Sequence, residues 1–349
     1  MDQHNCPVYA PSTNEMERTM KVAITGGTGF IGAHLIRALL DDGHTVRAVV
    51  RNLKRARQLE AWGVELAVAE LSDREALEEA FNGCEQLYHM AACATVWERQ
   101  SETYFNTNAH GTDHVLHAAK AAGVERVVVT SSGGVMGPSV TDVVTETKPR
   151  DLNYFNAYEA SKAAADLVVL RHVIEEGMHA VLVSPTRVFG PYIWGEPASV
   201  SLMIKRYING NWRLIPGGRH WKGNYVDVQD VVQGHILAMK KGRSGSNYVL
   251  AGHNMTYGEF FETLSIVSGQ RYRMVVAPIW LQMAFARLHA AFAKLRGRRP
   301  DLTTEWVRRG NYHWEVSPAR SIEELGVELT SFADSLSRTV ESFGHSQMS

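Results

Sequence analysis

The sequence predicts an α/β protein, a doubly wound parallel sheet flanked by helices, with a smaller and mostly helical C-terminal region. Three observations point there. Short apolar runs alternate with helix-period stretches through the first two-thirds of the chain. A glycine-rich turn joins the first run to the first helix, and the alternation breaks near residue 190. Repeated strand–helix–strand order calls for crossovers, which set strands parallel and place helices on both faces of a sheet.

Taken in order, strands are expected at 22–25, 46–50, 65–69, 86–90, 126–131 and 180–184, with helices near 31–42, 53–62, 73–82, 101–122 and 157–176. Beyond residue 190 Gly, Pro and Trp become frequent, as in Gly190-Pro191, Trp194-Gly195 and Pro216-Gly217-Gly218. Mostly helical segments follow. Tyr225–Asp230 and Asn247–Leu250 read as segments returning to the main body.

The composition excludes several classes. The 349 residues suffice for a large core, and 45% apolar with 21% charged residues is ordinary for a soluble globular chain. A net charge of −1 gives no reason to expect a nucleic-acid partner. Cys6, Cys84 and Cys93 lack metal-ligand spacing and cannot all pair, so a reduced cytoplasmic setting is expected. Residues 1–19 are polar without an apolar run and read as a flexible leader. The stretch 279–295 has apolar residues at 281, 285, 288, 292 and 295. That spacing describes a one-sided helix rather than a membrane span, with core or interface packing expected. Arg296, Arg298 and Arg299 keep membrane-surface docking as the lesser alternative.

Chemistry enters at Thr25-Gly26-Gly27-Thr28-Gly29-Phe30-Ile31-Gly32, between the first strand and the first helix. Gly26, Gly29 and Gly32 permit a tight turn and close approach of the backbone to a pyrophosphate. The helix N-terminus offers free N–H groups to the phosphates. This predicts a Rossmann-type dinucleotide site at Gly26, Thr28, Gly29, Phe30, Ile31 and Gly32. The second feature is Tyr158-Glu159-Ala160-Ser161-Lys162, whose ends lie four apart and so share a helix face. A nearby ammonium favours the phenolate and should lower the Tyr158 pKa. Strand 126–131 ends in the hydroxyls of Thr130, Ser131 and Ser132, where ligands collect in open α/β sheets.

With these motifs the chain resembles an extended short-chain dehydrogenase/reductase, of the NAD-dependent epimerase/dehydratase family and nearest its dihydroflavonol-reductase-like branch. The resemblance runs from about Lys21 to Gly326 and includes His89-Met90-Ala91-Ala92, Asn108-Ala109-His110-Gly111-Thr112, Ser184-Pro185-Thr186-Arg187-Val188-Phe189-Gly190-Pro191 and Tyr225–Asp230. It implies that Ser132 polarises a carbonyl, Tyr158 exchanges the proton and Lys162 holds the nicotinamide ribose. It further implies that Ala91 and Ala92 line the cofactor path, Asn108 supports the site, Ser131 contributes to the cofactor side, and Pro185 and Val188 flank the nicotinamide. The implied organisation is a leader over 1–19, a dinucleotide domain over 20–190 with returning segments near 224–251, and a substrate region over 191–345. A homodimer through the helices near 101–122 and 157–176 is expected by analogy.

Arg51, followed by Asn52, Lys54, Arg55 and Arg57, ends the second strand where an NAD enzyme usually places an acid. A guanidinium suits a 2′-phosphate, so NADP(H) is expected over NAD(H). Glu70-Leu71 stands where the family often has Asp-Leu near the adenine. Ser132 is followed by Gly133-Gly134 rather than the acidic pair of sugar-nucleotide dehydratases, which argues against elimination. Arg187 replaces the Asn that sugar-nucleotide enzymes usually present to a diphosphate. Trp97, Tyr192, Trp194, Trp212 and Trp221 suggest apolar walls. The reading is an NADP(H)-dependent ketoreductase or alcohol dehydrogenase for a hydrophobic or aromatic carbonyl. The alternatives are a sugar-nucleotide epimerase with tightly bound NAD and, least, a cofactor-sensing protein. His110, His114 and His117 fall on nearly one helix face, but no metal site is expected there.

Overall fold

The computed structural model describes residues 18–95, 98, 100–194, 198–215, 217–296, 300 and 303–345. Residues 1–17 of the leader, Cys6, Trp97, Gly195, Pro216, Arg298 and Arg299 lie outside the described residues. The first half alternates as expected: β1 (Lys21–Thr25), α1 (Phe30–Asp41), β2 (Thr45–Val50), α2 (Arg57–Ala61), β3 (Glu65–Val68), α3 (Arg74–Phe81), β4 (Gln86–His89), α4 (Glu102–Phe105), α5 (Gly111–Ala121), β5 (Arg126–Thr130), α6 (Ala157–Glu176) and β6 (Ala180–Pro185). There follow β7 (Arg187–Phe189), α7 (Ser199–Ile208), β8 (Leu214–Ile215), β9 (Lys222–Asp227), α8 (Val228–Lys241), β10 (Asn247–Leu250), β11 (His253–Thr256), α9 (Tyr257–Ser268), β12 (Val275–Val276), α10 (Ile279–Leu295), α11 (Thr304–Arg309) and α12 (Phe332–His345).

Seven parallel strands form the main sheet in the order β10-β6-β5-β4-β1-β2-β3. The chain reverses its direction of growth between β1 and β4, which opens the ligand crevice of this architecture at their C-terminal ends. The central strands are apolar in their interiors because both faces are covered, whereas β3, at the edge, leaves Glu65 and Val68 exposed. Val22 and Ile24 pack with Leu35, Ile36 and Leu39 of α1 on one side. Ala23, between them, meets the opposite cluster of Leu77, Phe81, Val115 and Leu116 from α3 and α5. Each such aliphatic contributes about 1.5–3 kcal/mol relative to exposure, so β1 cannot slip register. A third cluster, centred on Phe189, Tyr225, Phe260 and Phe332, holds the C-terminal elements together.

Four local departures from the expected elements have physical causes. The stretch 53–62 is a short 3₁₀ turn followed by α2, because the Asn52 side chain accepts from Lys54 N (2.9 Å) and starts a separate turn. The expected helix 101–122 is continuous but contains a π-helical turn, Asn106–His110, between α4 and α5. The segment 225–230, expected to return to the main body, is divided: the Asp227 side chain accepts from Gln229 N and caps α8, which leaves only 225–227 in β9. That strand joins a separate three-stranded sheet, β11-β9-β7, rather than the main one; β10 alone of the two returning segments completes the large sheet. Finally, α10 buries Gln282, Ala286 and Ala293 while Leu281, Phe285, Leu288 and Phe292 face outward, so its apolar stripe is not core.

Candidate active site

The turn after β1 is built by steric necessity. Gly26 has φ +76°, and a Cβ there would stand 2.6 Å from the Ala91 nitrogen. A Cβ on Gly32 would stand 2.4 Å from the Gly26 carbonyl oxygen. Helix α1 starts at Gly29 with no side-chain cap and no acid in its first turn. The amides of Phe30, Ile31 and Gly32 are therefore left for an anion. The cradle and its open N-terminus fit a dinucleotide diphosphate. Thr28 sits half-buried on the turn, while Arg51, at the end of β2, and Glu70 are exposed. The Leu71 side chain approaches Gly111, and its carbonyl oxygen accepts from His114 Nδ1 (3.0 Å).

A buried hydrogen-bond chain ties this turn to the neighbouring strand and helix. The Thr112 hydroxyl donates to the Asn108 carbonyl (2.6 Å), so it accepts from His89 Nε2–H (2.9 Å). His89 Nδ1 then accepts from the Thr25 hydroxyl (2.8 Å), whose oxygen receives the amides of Met90 and Ala91 (both 3.2 Å). Burial, with the Lys162 charge second, pushes His89 down to about 3, so it stays neutral and keeps this single tautomer. Ala91 is thereby anchored; Ala92 is exposed.

Asn108, on the π-helical turn, clamps the segment after β4 to helix α6. Its Oδ1 accepts from Cys93 N (2.7 Å), and its Nδ2 donates to Cys93 O (3.2 Å) and Ser161 Oγ (2.9 Å). Helix α6 is capped by Asn156, which accepts from Glu159 N (2.9 Å), and this fixes where Tyr158 and Lys162 emerge. Lys162 Nζ donates to Thr130 O (2.7 Å), joining α6 to the end of β5.

The charges around this junction are set mainly by burial. It lowers Lys162, partly opposed by Asp166, and raises Asp166 to about 6. The Ser131 hydroxyl donates to Asp166 Oδ2 (2.8 Å), which leaves its oxygen lone pairs as acceptors. Tyr158 departs from expectation: burial holds its phenol above the usual range, although the Ser132 hydroxyl and the Arg309 charge favour the phenolate. Desolvation of the ring outweighs the cationic help.

A small cavity opens beside Ser132, lined by Gly133, Thr186, Arg187, Arg309 and Trp314 among others. Arg187 Nη1 donates to the hydroxyls of Tyr225 (3.2 Å) and Tyr257 (3.0 Å), and Arg187 has no carboxylate partner among the described residues. Arg309 Nε donates to Glu159 Oε1 (3.0 Å), while Arg150 takes Glu159 Oε2 (2.7 Å), so one buried carboxylate serves two guanidinium groups. Pro185 is buried at the end of β6 and Val188 is half-buried against the main core.

Among the described residues, Tyr192, Trp194, Trp212 and Trp221 do not line this cavity, whose aromatic lining is Trp314. Tyr192 stacks on Phe343, Trp194 meets Trp62, Trp221 lies against His313, and Trp212 packs into the C-terminal cluster. Sequence reasoning missed Asp166, Arg309 and Trp314. Asp166 is legible in retrospect, eight residues after Tyr158 and on its face; Arg309 and Trp314 are remote in sequence and carried no local signal. The three histidines of the 110–117 stretch diverge. His114 turns to Leu71, while His117 meets Asp113 and the buried His172 of α6, whose ring lies 4.5 Å away.

The profile of the NAD-dependent epimerase/dehydratase family matches residues 22–251. Sterol demethylase protein B of Methylococcus capsulatus is 31% identical over 327 residues, covering 91% of this chain and 97% of that protein. The 4-hydroxy-2-methyl-3-oxo-4-farnesyl-3,4-dihydroquinoline-1-oxide ketoreductase of Stigmatella aurantiaca is 30% identical, covering 84% and 86%. Among solved structures, UDP-glucose 4-epimerase of Thermus thermophilus in complex with NAD superposes with a TM-score of 0.72 at 25% identity, covering 93% of this chain and 99% of that one.

Proposed function

The chain belongs to the NAD-dependent epimerase/dehydratase family, and from that premise we propose that it is an NADPH-dependent ketoreductase, working in reverse as an alcohol dehydrogenase. The observation that carries this reading is the cavity wall. Ser132 lines it, with a hydroxyl that favours the Tyr158 phenolate, and the residues following Ser132 are glycines rather than the acids an elimination needs. The bound nicotinamide supplies the hydride. Gly26, Thr28, Gly29, Phe30, Ile31 and Gly32 hold its diphosphate, and Lys162 its ribose. Ala91, Ala92, Leu71, Pro185 and Val188 border it, with Asn108 supporting them. Arg51 takes the 2′-phosphate, which favours NADP(H).

Tyr158 gives its proton to the carbonyl oxygen. Being held protonated by burial, it is ready as the acid for reduction. Ser132 donates to the same oxygen as negative charge develops. The named substrate of the Stigmatella relative is a bulky farnesylated ketone, which supports a large small-molecule carbonyl here. Arg187 and Arg309 suit an oxygen-rich substituent on it. Tyr158→Phe should retain NADPH binding and lose about 10²–10⁴-fold in turnover; full turnover would overturn the assignment. The second reading, an epimerase that recycles NAD, is favoured by the likeness to the NAD-bound epimerase. Release of NAD on denaturing the purified protein, with no net ketone-dependent NADPH oxidation, would select it.

A further inference from the structure

Helix α10 plays no part in the site above. Leu281, Phe285, Leu288 and Phe292 recur at helical spacing and share one face. The opposite face meets the protein through Gln282 and Ala286, the latter 0% exposed. The stripe itself points outward: Leu288 is 72% exposed, Phe285 58% and Phe292 51%, with Trp280 at 68% near the start of the helix. Val275 and Val276, just before the helix, extend the exposed apolar run. A contiguous apolar face of this kind marks an interaction surface.

Charge decides what covers it. From Thr263 to Pro300 the sequence holds no Asp or Glu and seven Lys and Arg, in a chain whose net charge is −1. Two of them are placed at the helix: Arg287 lies in it, and the Arg296 guanidinium sits over the Phe292 ring, 4.0 Å from its centroid. A second copy presenting the same face would bring these cations together at an apolar, poorly screened contact. An apolar stripe edged by cations matches the boundary between acyl chains and anionic headgroups.

We propose that α10 seats the protein on an anionic lipid surface, with Trp280, Phe285, Leu288 and Phe292 entering the headgroup boundary and the basic side chains meeting lipid phosphates. The seat is close to the cavity, because α10 packs on α11, which ends in Arg309 on the cavity wall.

Flotation of the full chain with vesicles of phosphatidylcholine, with and without phosphatidylglycerol, tests this. Binding should require phosphatidylglycerol, weaken with added salt, and fall at least tenfold in Leu288→Ser/Phe292→Ser. That variant should keep the wild-type circular dichroism and NADPH affinity, and Phe285→Ser provides a milder change should the double variant fold poorly. Equal binding to neutral vesicles, or none to anionic ones, would overturn the proposal. So would a wild-type dimer that Leu288→Arg dissociates without any lipid binding by either protein.

Discussion

Replacing Asp166 with Asn should stabilise the cofactor-free protein near neutral pH and not in acid. Burial raises this carboxyl from 3.8 to about 6. The gap corresponds to at most about 3 kcal/mol of penalty, carried by the folded state once the group is ionised. The sign follows from which state ionises first. Below 3.8 both states hold the proton and the group has no effect. Between 3.8 and about 6 the unfolded chain releases it first, so stability falls as pH rises; above about 6 the penalty is constant. Asn does not titrate, and its Oδ1 can still accept from Ser131. Its amide would occupy the place of the unpartnered Oδ1 at a cost of about 1 kcal/mol, leaving a net gain of about 2 kcal/mol. Urea unfolding of both proteins at several pH values measures the difference, and the other titrating groups cancel in it. A difference that stays flat from acid to neutral pH would refute the reasoning. Turnover should fall in the same variant, because Lys162 loses the carboxylate that helps it keep its proton.

Two further perturbations address the cofactor side. Arg51 is exposed and makes no hydrogen bond or ion pair among the described residues, so Arg51→Ala should leave the melting temperature unchanged. It should weaken NADPH by about 1–2 kcal/mol, roughly 5–30-fold, and spare NADH; equal losses for both in fluorescence titrations would remove Arg51 from the 2′-phosphate. Gly32→Ala drives a methyl to 2.4 Å from the Gly26 carbonyl, against backbone that cannot swing aside. About 1–3 kcal/mol of overpacking is expected; an unchanged melting temperature together with unchanged NADPH affinity would show that the turn yields more freely than its geometry implies.

The central parallel strands were legible because their interiors are buried on both faces and therefore apolar, and the glycine turn because sterics admit little else there. The pair Tyr158 and Lys162 was legible from helical periodicity. What periodicity cannot reveal is which side of a helix meets its neighbours. The stripe on α10 is one-sided as read, yet it lies on the outer side, because Gln282, Ala286 and Ala293 make the smaller and flatter contact. The register of β9 escaped because apolar residues continue through Val226 and Val228, while the cap at Asp227 ends the strand between them. Arg187 was visible as a local departure, but its tyrosine surroundings and its place beside Arg309 on one cavity wall arise from segments brought together by the fold. The phenol of Tyr158 reversed its expected shift for a similar reason: the lysine four residues on is local, whereas the burial that dominates is tertiary.

The π-helical turn at Asn106–His110 amounts to one residue more than an α-helical path would use. Excising a single residue there would rotate everything downstream by about 100° relative to everything upstream. Thr112, below the turn, now faces His89, while Tyr104, above it, faces the Tyr158 ring. A regular helix could satisfy one of these alignments or the other. The surplus residue thus acts as a phase adjuster, allowing a single rod to meet His89 at the end of β4 with one half and the Tyr158 ring of α6 with the other.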